Sequence, residues 1–395
     1  MSSLRLASYN VLNSELALRP RHGPYEEHVH SWTYRRRKIA EQLVEHKSDI
    51  IALQEVTTNM AADIAKDMEG FVMIKSDDDL SVTVAADLPQ GVYNNHAPVL
   101  LIRSSSVKRI ISSGTFKLNS ISTIPITTAE DRQLMERFRE VGNDARVAIA
   151  HLALPNDAEL IVVSVHLHMD PSEPHIKVMQ ICSLMEYILQ SRRSRCNIPI
   201  VIAGDFNSIV QKFSYDVYDN ETNGGVWDGN SSLNSGVYQL MTSGMLPSNH
   251  NDHPSQRVKG VSKSDIRLSL SFSSAYKHVN GKEPYITTKC RDFAATLDYI
   301  FVDNDSLKYD KVGVTSIIPM PYNDQYDSSV FIGENLVKNV VSEIGPAIPN
   351  DKYPSDHLLI GCCFVFSGMV SKRKSFFFFL IFYLLLRMQT NYRWR

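Results

Sequence analysis

The stretch that most constrains this chain is IPIVIAGDFNS, residues 198–208, where a continuous apolar run breaks at Gly204 and delivers Asp205 and Asn207 to a loop. A run rich in Val and Ile, bounded by Pro199 and Gly204, suits a strand covered on both faces rather than a surface helix. A carboxylate at the end of such a strand is costly to bury without compensation, so Asp205 is expected to face a metal ion, a cation or solvent. Taken alone, the stretch also fits an Asx turn that closes the strand.

The same pattern recurs along the chain. IIALQEV reaches Glu55, LIVVSVHLH reaches His166 and His168, and LRLASYNVL places Asn10. TLDYIFV carries Asp298, and PSDHLLIGCCFVF opens on Asp356 and His357. Any one of these fits a capped turn, but six strands offering carboxylates, imidazoles and amides predict one shared, metal-binding cleft.

Length alone would allow two domains in 395 residues, yet no linker-like segment divides the chain. Apolar residues make up 43%, enough for a sizeable core, and 21% are charged. The formal net charge of −2 excludes a generally basic nucleic-acid coat but not a local phosphate-binding groove, because the field in the cleft is what acts on substrate. The five cysteines, Cys182, Cys196, Cys290, Cys362 and Cys363, lack paired zinc spacing and read as reduced, structural thiols. MSSLRLASYN holds no apolar core of signal-peptide length, so a cytoplasmic and also nuclear location is expected.

In SWTYRRRKIAEQLVEH, Trp32, Ile39, Leu43 and Val44 recur at helical spacing, and the basic run Arg35 to Lys38 reads as a solvated face. Asp77 to Asp79 read as a loop rather than a calcium site. Strands are expected at Ala97–Arg103, Val107–Leu118 and Arg146–Leu154, and helices over Asp131–Val141 and Ile176–Arg192. His250 and His253, in the segment Pro247–Lys263, are expected at the surface. Beyond Phe366, the apolar tract Phe376–Leu386 falls short of the roughly 20 residues that span a bilayer. It reads either as a tail touching a membrane interface or as a C-terminus with no evolved role.

These segments together resemble the endonuclease/exonuclease/phosphatase superfamily, over roughly residues 4 to 366. Within it, the chain is most similar to the carbon catabolite repressor type deadenylases and their relatives nocturnin and angel. The resemblance rests on SWTYRRRKI before DIIALQEV, HLHMDPSEPHIKVMQ, GDFNS, SSAYKHVNGKEPY before TLDYIF, and YPSDH. It implies an α+β fold, a four-layer α/β/β/α sandwich of two packed mixed sheets with helices outside. Residues 1–367 would form the catalytic domain and 368–395 an atypical basic and hydrophobic tail.

By matching position, the resemblance makes Glu55 a metal ligand with Asn10 beside it, and gives Asp205 and Asn207 a second metal or the attacking water. His166 would contact the scissile phosphate, Asp298 would complete the acidic set, and His357, supported by Asp356, would serve as acid, base or ligand. The chemistry asks for such a set: hard cations such as magnesium or manganese, held by oxygen ligands, neutralise a phosphodiester and acidify bound water. In the deadenylases a Pro after the catalytic-loop His and a Phe before the LDYIF Asp frame the terminal adenine, and Pro171 and Phe293 stand at those positions. Packing beneath its strand is the alternative role for Phe293. Met169 departs from the Trp usual in the family.

The activity implied is a metal-dependent 3′–5′ exoribonuclease that removes poly(A) from mRNA and releases AMP. A 2′,5′-phosphodiesterase or a nucleotide phosphatase keeps the same machinery; a neutral sphingomyelinase and a non-catalytic RNA-binding scaffold are more distant alternatives. No leucine-rich repeat pattern is present, so the chain is expected to act alone or to recruit mRNA-decay partners through its surface.

Overall fold

Period-two alternation between two apolar faces organises the molecule. In the second strand, Ile50 and Ala52 point to one side and Ile51 and Leu53 to the other, all of them buried. A strand that is apolar on both faces must sit in an inner layer. The computed structural model describes residues 2–18, 22, 27–75, 96–120, 128–140, 145–192, 198–210, 235–290, 293–322, 342–345 and 347–367. Asp77–Asp79 and the tail from residue 368 onward lie outside the described residues.

Two six-stranded sheets form the inner layers. The strands are β1 (Ser2–Asn10), β2 (Ile50–Thr57), β3 (Phe71–Ile74), β4 (His96–Arg103), β5 (Arg109–Lys117), β6 (Arg146–Ala153), β7 (Glu159–His166), β8 (Ile200–Asp205), β9 (Phe272–Ser274), β10 (Asp298–Asp303), β11 (Val312–Ile317) and β12 (Ile360–Phe366). Their orders are β11-β12-β1-β2-β4-β3 and β9-β10-β8-β7-β6-β5. Each sheet has one parallel pair, β1 with β2 and β7 with β8, and its other pairs are antiparallel. A parallel pair needs a crossover, and helices α1 (Trp32–Glu45) and α4 (Pro174–Arg192) supply them.

One apolar cluster fills the space between the sheets, joining Leu6, Ile50 and Leu100 of the first to Ala150, Val162, Val201 and Ile300 of the second. A second packs α1 and helix α2 (Thr58–Asp67) on the outer face of the first sheet through Ile39, Leu43, Met60 and Ile64. A third seats α4 and helix α5 (Gly236–Ser243) on the outer face of the second sheet through Val178, Ile181, Leu240 and Met241. Helix α3 (Ala129–Glu140) packs against α4 through Met135, Phe138, Ile176 and Met179. The result is the expected four-layer sandwich. No helix among the described residues is long and apolar enough to cross a membrane.

Two expectations fail. Arg35 is fully buried rather than solvated. Its Nη1 donates to Val11 O (2.7 Å) and Pro354 O (3.1 Å), Nη2 to Leu12 O (2.8 Å) and Nε to His30 O (3.2 Å). Burying a guanidinium is tolerable only with its donors satisfied, and here they strap α1 to the loops beside the cleft. Its neighbour Arg36 does face solvent, paired with Asp67. His253 is also buried: it caps the short helix Pro254–Arg257, accepting from Ser255 N, and its Nε2 lies 3.0 Å from Ser264 O.

Candidate active site

Topology brings the polar strand ends together. The C-terminal ends of β1, β2, β7 and β8 carry Asn10, Glu55, His166 and Asp205, while the antiparallel β10 starts at Asp298 and His357 precedes β12, all at one end of the sandwich. Register fixes the neighbours: His166 pairs with Asp205, and Asp205 with Asp298. By parity His166, Asp205 and Asp298 share the side of Val162, Val201 and Ile300, so they cap the inter-sheet core. Beneath them Gln54 Nε2 donates to Ser164 Oγ (3.2 Å) and Ser8 Oγ (3.4 Å), a polar layer bridging the two sheets.

Glu55 breaks the alternation. An odd position in β2 would face the helices, but a bulge between Leu53 and Val56, with Glu55 at φ +59°, turns it into the cleft. Leu12 (φ +55°) and Asn207 (φ +46°) are also left-handed at this end. Such non-glycine residues cost roughly 1–3 kcal/mol each, and persist where surrounding contacts fix them. Gly204 has its own reason: a Cβ there would lie 2.0 Å from Val165 O, so only glycine lets β8 approach β7 just before Asp205.

The contacts form one network. Asn10 Nδ2 donates to both Glu55 Oε1 and Asp205 Oδ2, each at 3.1 Å, and its Oδ1 accepts from Leu12 N at 3.0 Å. Glu55 Oε2 accepts from Asn13 N at 2.8 Å. Asp205 Oδ1 accepts from Asn207 N at 2.8 Å, and Asp205 Oδ2 lies 3.6 Å from both His166 Nε2 and His357 Nε2. His357 Nδ1 meets Asp298 Oδ2 at 2.8 Å, and Thr287 Oγ1 donates to the same oxygen at 2.6 Å. Asn207 donates from Nδ2 to Leu167 O at 3.0 Å, and its backbone carbonyl accepts from the buried Lys177 Nζ at 2.7 Å.

Burial and pairing set the charges. Burial alone would raise Glu55, but His166, His96 and the bonds from Asn13 and Asn10 bring it down to about 2. Burial raises Asp205 against the pull of His357, and lifts Asp298 to about 6 against the same His357. Burial would lower His357, yet Asp298 and Asp205 hold it up, to about 10. His166 is pulled below the usual imidazole range by burial; Glu55 opposes this and His357 adds to it.

Of the residues expected at a site, Asn10, Glu55, His166, Asp205, Asp298 and His357 thus meet. Asp356 instead turns toward Cys290 Sγ (3.7 Å), with its Oδ1 4.0 Å from His357 Nε2. Pro171 and Phe293 have no polar side-chain atoms to join the network. Pro171 is half-buried in the turn after His168, near the exposed Met169, and Phe293 is half-buried in the turn of a hairpin made by Thr288–Lys289 and Ala294–Ala295. Lys289 N of that hairpin donates to Asp356 O. His96, at the start of β4, escaped the sequence reading although its ring stands 5.7 Å from that of His166. NNHAPVLLI shows the same grammar as PSDHLLIG, an imidazole opening an apolar strand.

The donor set fits a divalent cation. One ligand atom each from Asp205, Asp298 and His357 falls within 4.8 Å of the others, and Asp298 Oδ1 is buried without a hydrogen-bond partner among the described residues. Oxygen-rich buried donors of this kind suit hard cations.

The model of a family described as "Endonuclease/Exonuclease/phosphatase family" matches residues 7–357. Among curated proteins, the chain is 25% identical over 379 residues to "CCR4-Not complex 3'-5'-exoribonuclease subunit Ccr4" of Kluyveromyces lactis, covering 90% of this chain and 40% of that protein. It is 22% identical over 378 residues to human (Homo sapiens) "2',5'-phosphodiesterase 12", covering 91% and 51%. The chain therefore spans about half or less of the length of these relatives. Among solved structures, "ANGEL2, a 2',3'-cyclic phosphatase, in complex with adenosine-2',3'-vanadate" aligns with a TM-score of 0.62 at 18% identity, over 92% of this chain and 95% of that one. The human Nocturnin catalytic domain with bound sulfate anion gives 0.53 at 16%, also over 92% and 95%. At these identities the structural likenesses establish the fold. The family match takes in every strand end that builds the cluster, and the chain belongs to the endonuclease/exonuclease/phosphatase family.

Proposed function

We propose that the chain is a divalent-metal-dependent phosphodiesterase acting at RNA 3′ ends, specifically a 3′–5′ exoribonuclease that shortens poly(A) and releases AMP, with its catalytic domain in residues 1–367. The observation that carries this reading is the network in which Asn10, Glu55, His166, Asp205, Asp298 and His357 meet at one end of the sandwich. A similarity to a 3'-5'-exoribonuclease subunit over 90% of the chain supports the substrate class.

Magnesium, or manganese in its place, held among Glu55, Asp205, Asn207 and Asp298, would supply charge neutralisation at the phosphate and acidification of water. The chain's own groups have separable tasks. Asn10 holds Glu55 and Asp205 at a fixed spacing by donating to both. In this reading Asp205 would take a proton from the attacking water, and His357, with Nδ1 engaged by Asp298, would offer Nε2 to the leaving oxygen. His166 faces the same space as a neutral hydrogen-bonding group for the phosphate. Pro171 and Phe293 would flank the terminal base, where stacking is worth roughly 1–3 kcal/mol.

A second reading keeps this machinery on a 2′,5′ linkage, favoured by the similarity to 2',5'-phosphodiesterase 12 over 91% of the chain. One assay separates them: the full chain with magnesium, on end-labelled RNA ending in A20, the same RNA ending in U20, and 2′,5′-linked oligoadenylate. Stepwise shortening of the A tail alone, abolished by Glu55→Ala and by chelation, is expected. Equal attack on both tails would remove the adenine pocket, and attack on the 2′,5′ oligomer alone would overturn the deadenylase reading.

A further inference from the structure

Outside the oxygen-rich cleft lies a second buried constellation of different chemistry. His22, Cys290 and Asp356 are 0%, 4% and 2% exposed. His22 Nδ1 lies 3.8 Å from Asp356 Oδ2, Cys290 Sγ lies 3.7 Å from the same oxygen, and one ligand atom from each falls within 4.8 Å of the other two. Around a tetrahedral zinc ion, with bonds of about 2.0–2.3 Å, such atoms stand roughly 3.3–3.6 Å apart. The two separations to Asp356 Oδ2 are within a few tenths of an ångström of that spacing, and the imidazole and thiol stand within 4.8 Å of each other.

The three residues come from segments distant in sequence: the segment between β1 and α1, the hairpin before β10, and the loop before β12. The last two are already locked together, since Lys289 N and Thr288 Oγ1 both donate to Asp356 O at 2.9 Å. Thr288 also forms a bridge with His357. Two cations stand near. Arg35 feels Asp356, and Lys289 donates from Nζ to Cys290 O at 2.5 Å. The Arg35 guanidinium and Lys289 Nζ both donate to backbone carbonyls around the trio.

We propose that His22, Cys290 and Asp356 form a buried, three-residue site for a thiophilic divalent cation of the zinc class, distinct from the hard-cation cleft. A thiolate and an imidazole with one carboxylate oxygen select against magnesium and calcium, which take oxygen ligands. Binding forms a metal–sulfur bond, displaces the Cys290 thiol proton to solvent and changes no oxidation state. Because Asp356 adjoins His357, occupancy would brace the loop that presents the catalytic imidazole. The inference does not depend on the substrate proposed above.

The test uses the metal-stripped full chain with magnesium present. Cobalt(II) should give a thiolate-to-cobalt absorption band in the unmutated chain and in Glu55→Ala, but not in Cys290→Ser. Zinc affinity, read by competition with a chromophoric chelator, should fall at least about 100-fold in Cys290→Ser and His22→Ala. Should those variants not fold, zinc-edge X-ray absorption of the unmutated chain decides: one sulfur at about 2.3 Å is expected. A shell of nitrogen and oxygen only, or a cobalt–thiolate band that persists in Cys290→Ser, would overturn the proposal.

Discussion

His166 and His357 stand on either side of Asp205, each 3.6 Å from its Oδ2, yet the structure gives them opposite charge preferences. Burial pulls His166 down because its other carboxylate, Glu55, is 4.0 Å away and already engaged by Asn10 and Asn13. His357 resists the same burial because Asp298 accepts from Nδ1 at 2.8 Å. What separates the two is the charge of Asp298, close enough to hydrogen-bond, together with that of Asp205 on His357, while the charge of His357 itself pushes His166 down. The cleft thus presents one neutral and one cationic imidazole to a single substrate, and the proposed roles follow from that difference.

The carboxylate common to both halves gives the largest expected effect. Asp205→Asn should lower kcat/KM about 10⁴-fold, since it removes the proposed base and the charge that both imidazoles face. Activity within tenfold of the unmutated chain would break the comparison at its centre. The halves should then separate. His357→Gln is expected to cost about 10²–10³-fold, mostly in kcat, whereas His166→Gln should act mostly on KM. Equal losses in the same parameter would mean that the two imidazoles are equivalent.

Much of this was legible because each strand end is written the same way: an apolar run that stops at an acid, an amide or an imidazole. What failed to show was the side on which a residue points when the backbone departs from its regular period. Glu55 is in the motif, but only the bulge at Leu53–Val56 explains how a position on the helix-facing side of β2 reaches the cleft. Arg35 was hidden by its neighbours, since a run of four cations reads as a solvated face. The helical period told otherwise: Arg35, Ile39 and Leu43 fall on one stripe, i, i+4 and i+8, and all three are buried. His96 was within reach of the same grammar, while the cluster of His22, Cys290 and Asp356 joins segments so far apart that only the fold brings it together.

Stability without metal sharpens the comparison further, because the two imidazoles impose opposite slopes. His357 has a folded-state pKa raised from 6.5 to about 10, so its contribution is full below pH 6.5 and is lost as pH rises through 10. His166 is lowered, so the folded state sheds its proton first and stability rises with pH up to 6.5. Urea unfolding in a chelator, from pH 5 to 10, should show that His357→Gln removes a falling slope above pH 6.5 and His166→Gln a rising one below it. Slopes of the same sign would contradict the charge assignment.

The smallest expected effect concerns the base, and it again sets one half against the other. Pro171 follows His168 on the His166 side, and Phe293 sits on the hairpin that leans on Asp356 beside His357. An aromatic face stacked on the terminal adenine contributes roughly 1–3 kcal/mol, so Phe293→Ala should slow removal of an A tail about 10- to 100-fold while leaving a U tail nearly unchanged. Pro171→Ala, which removes less area and no π surface, should cost only a few-fold. A Phe293→Ala chain that loses the same factor on both tails, with a lowered Tm, would show that the ring packs its hairpin and leaves the base to other residues.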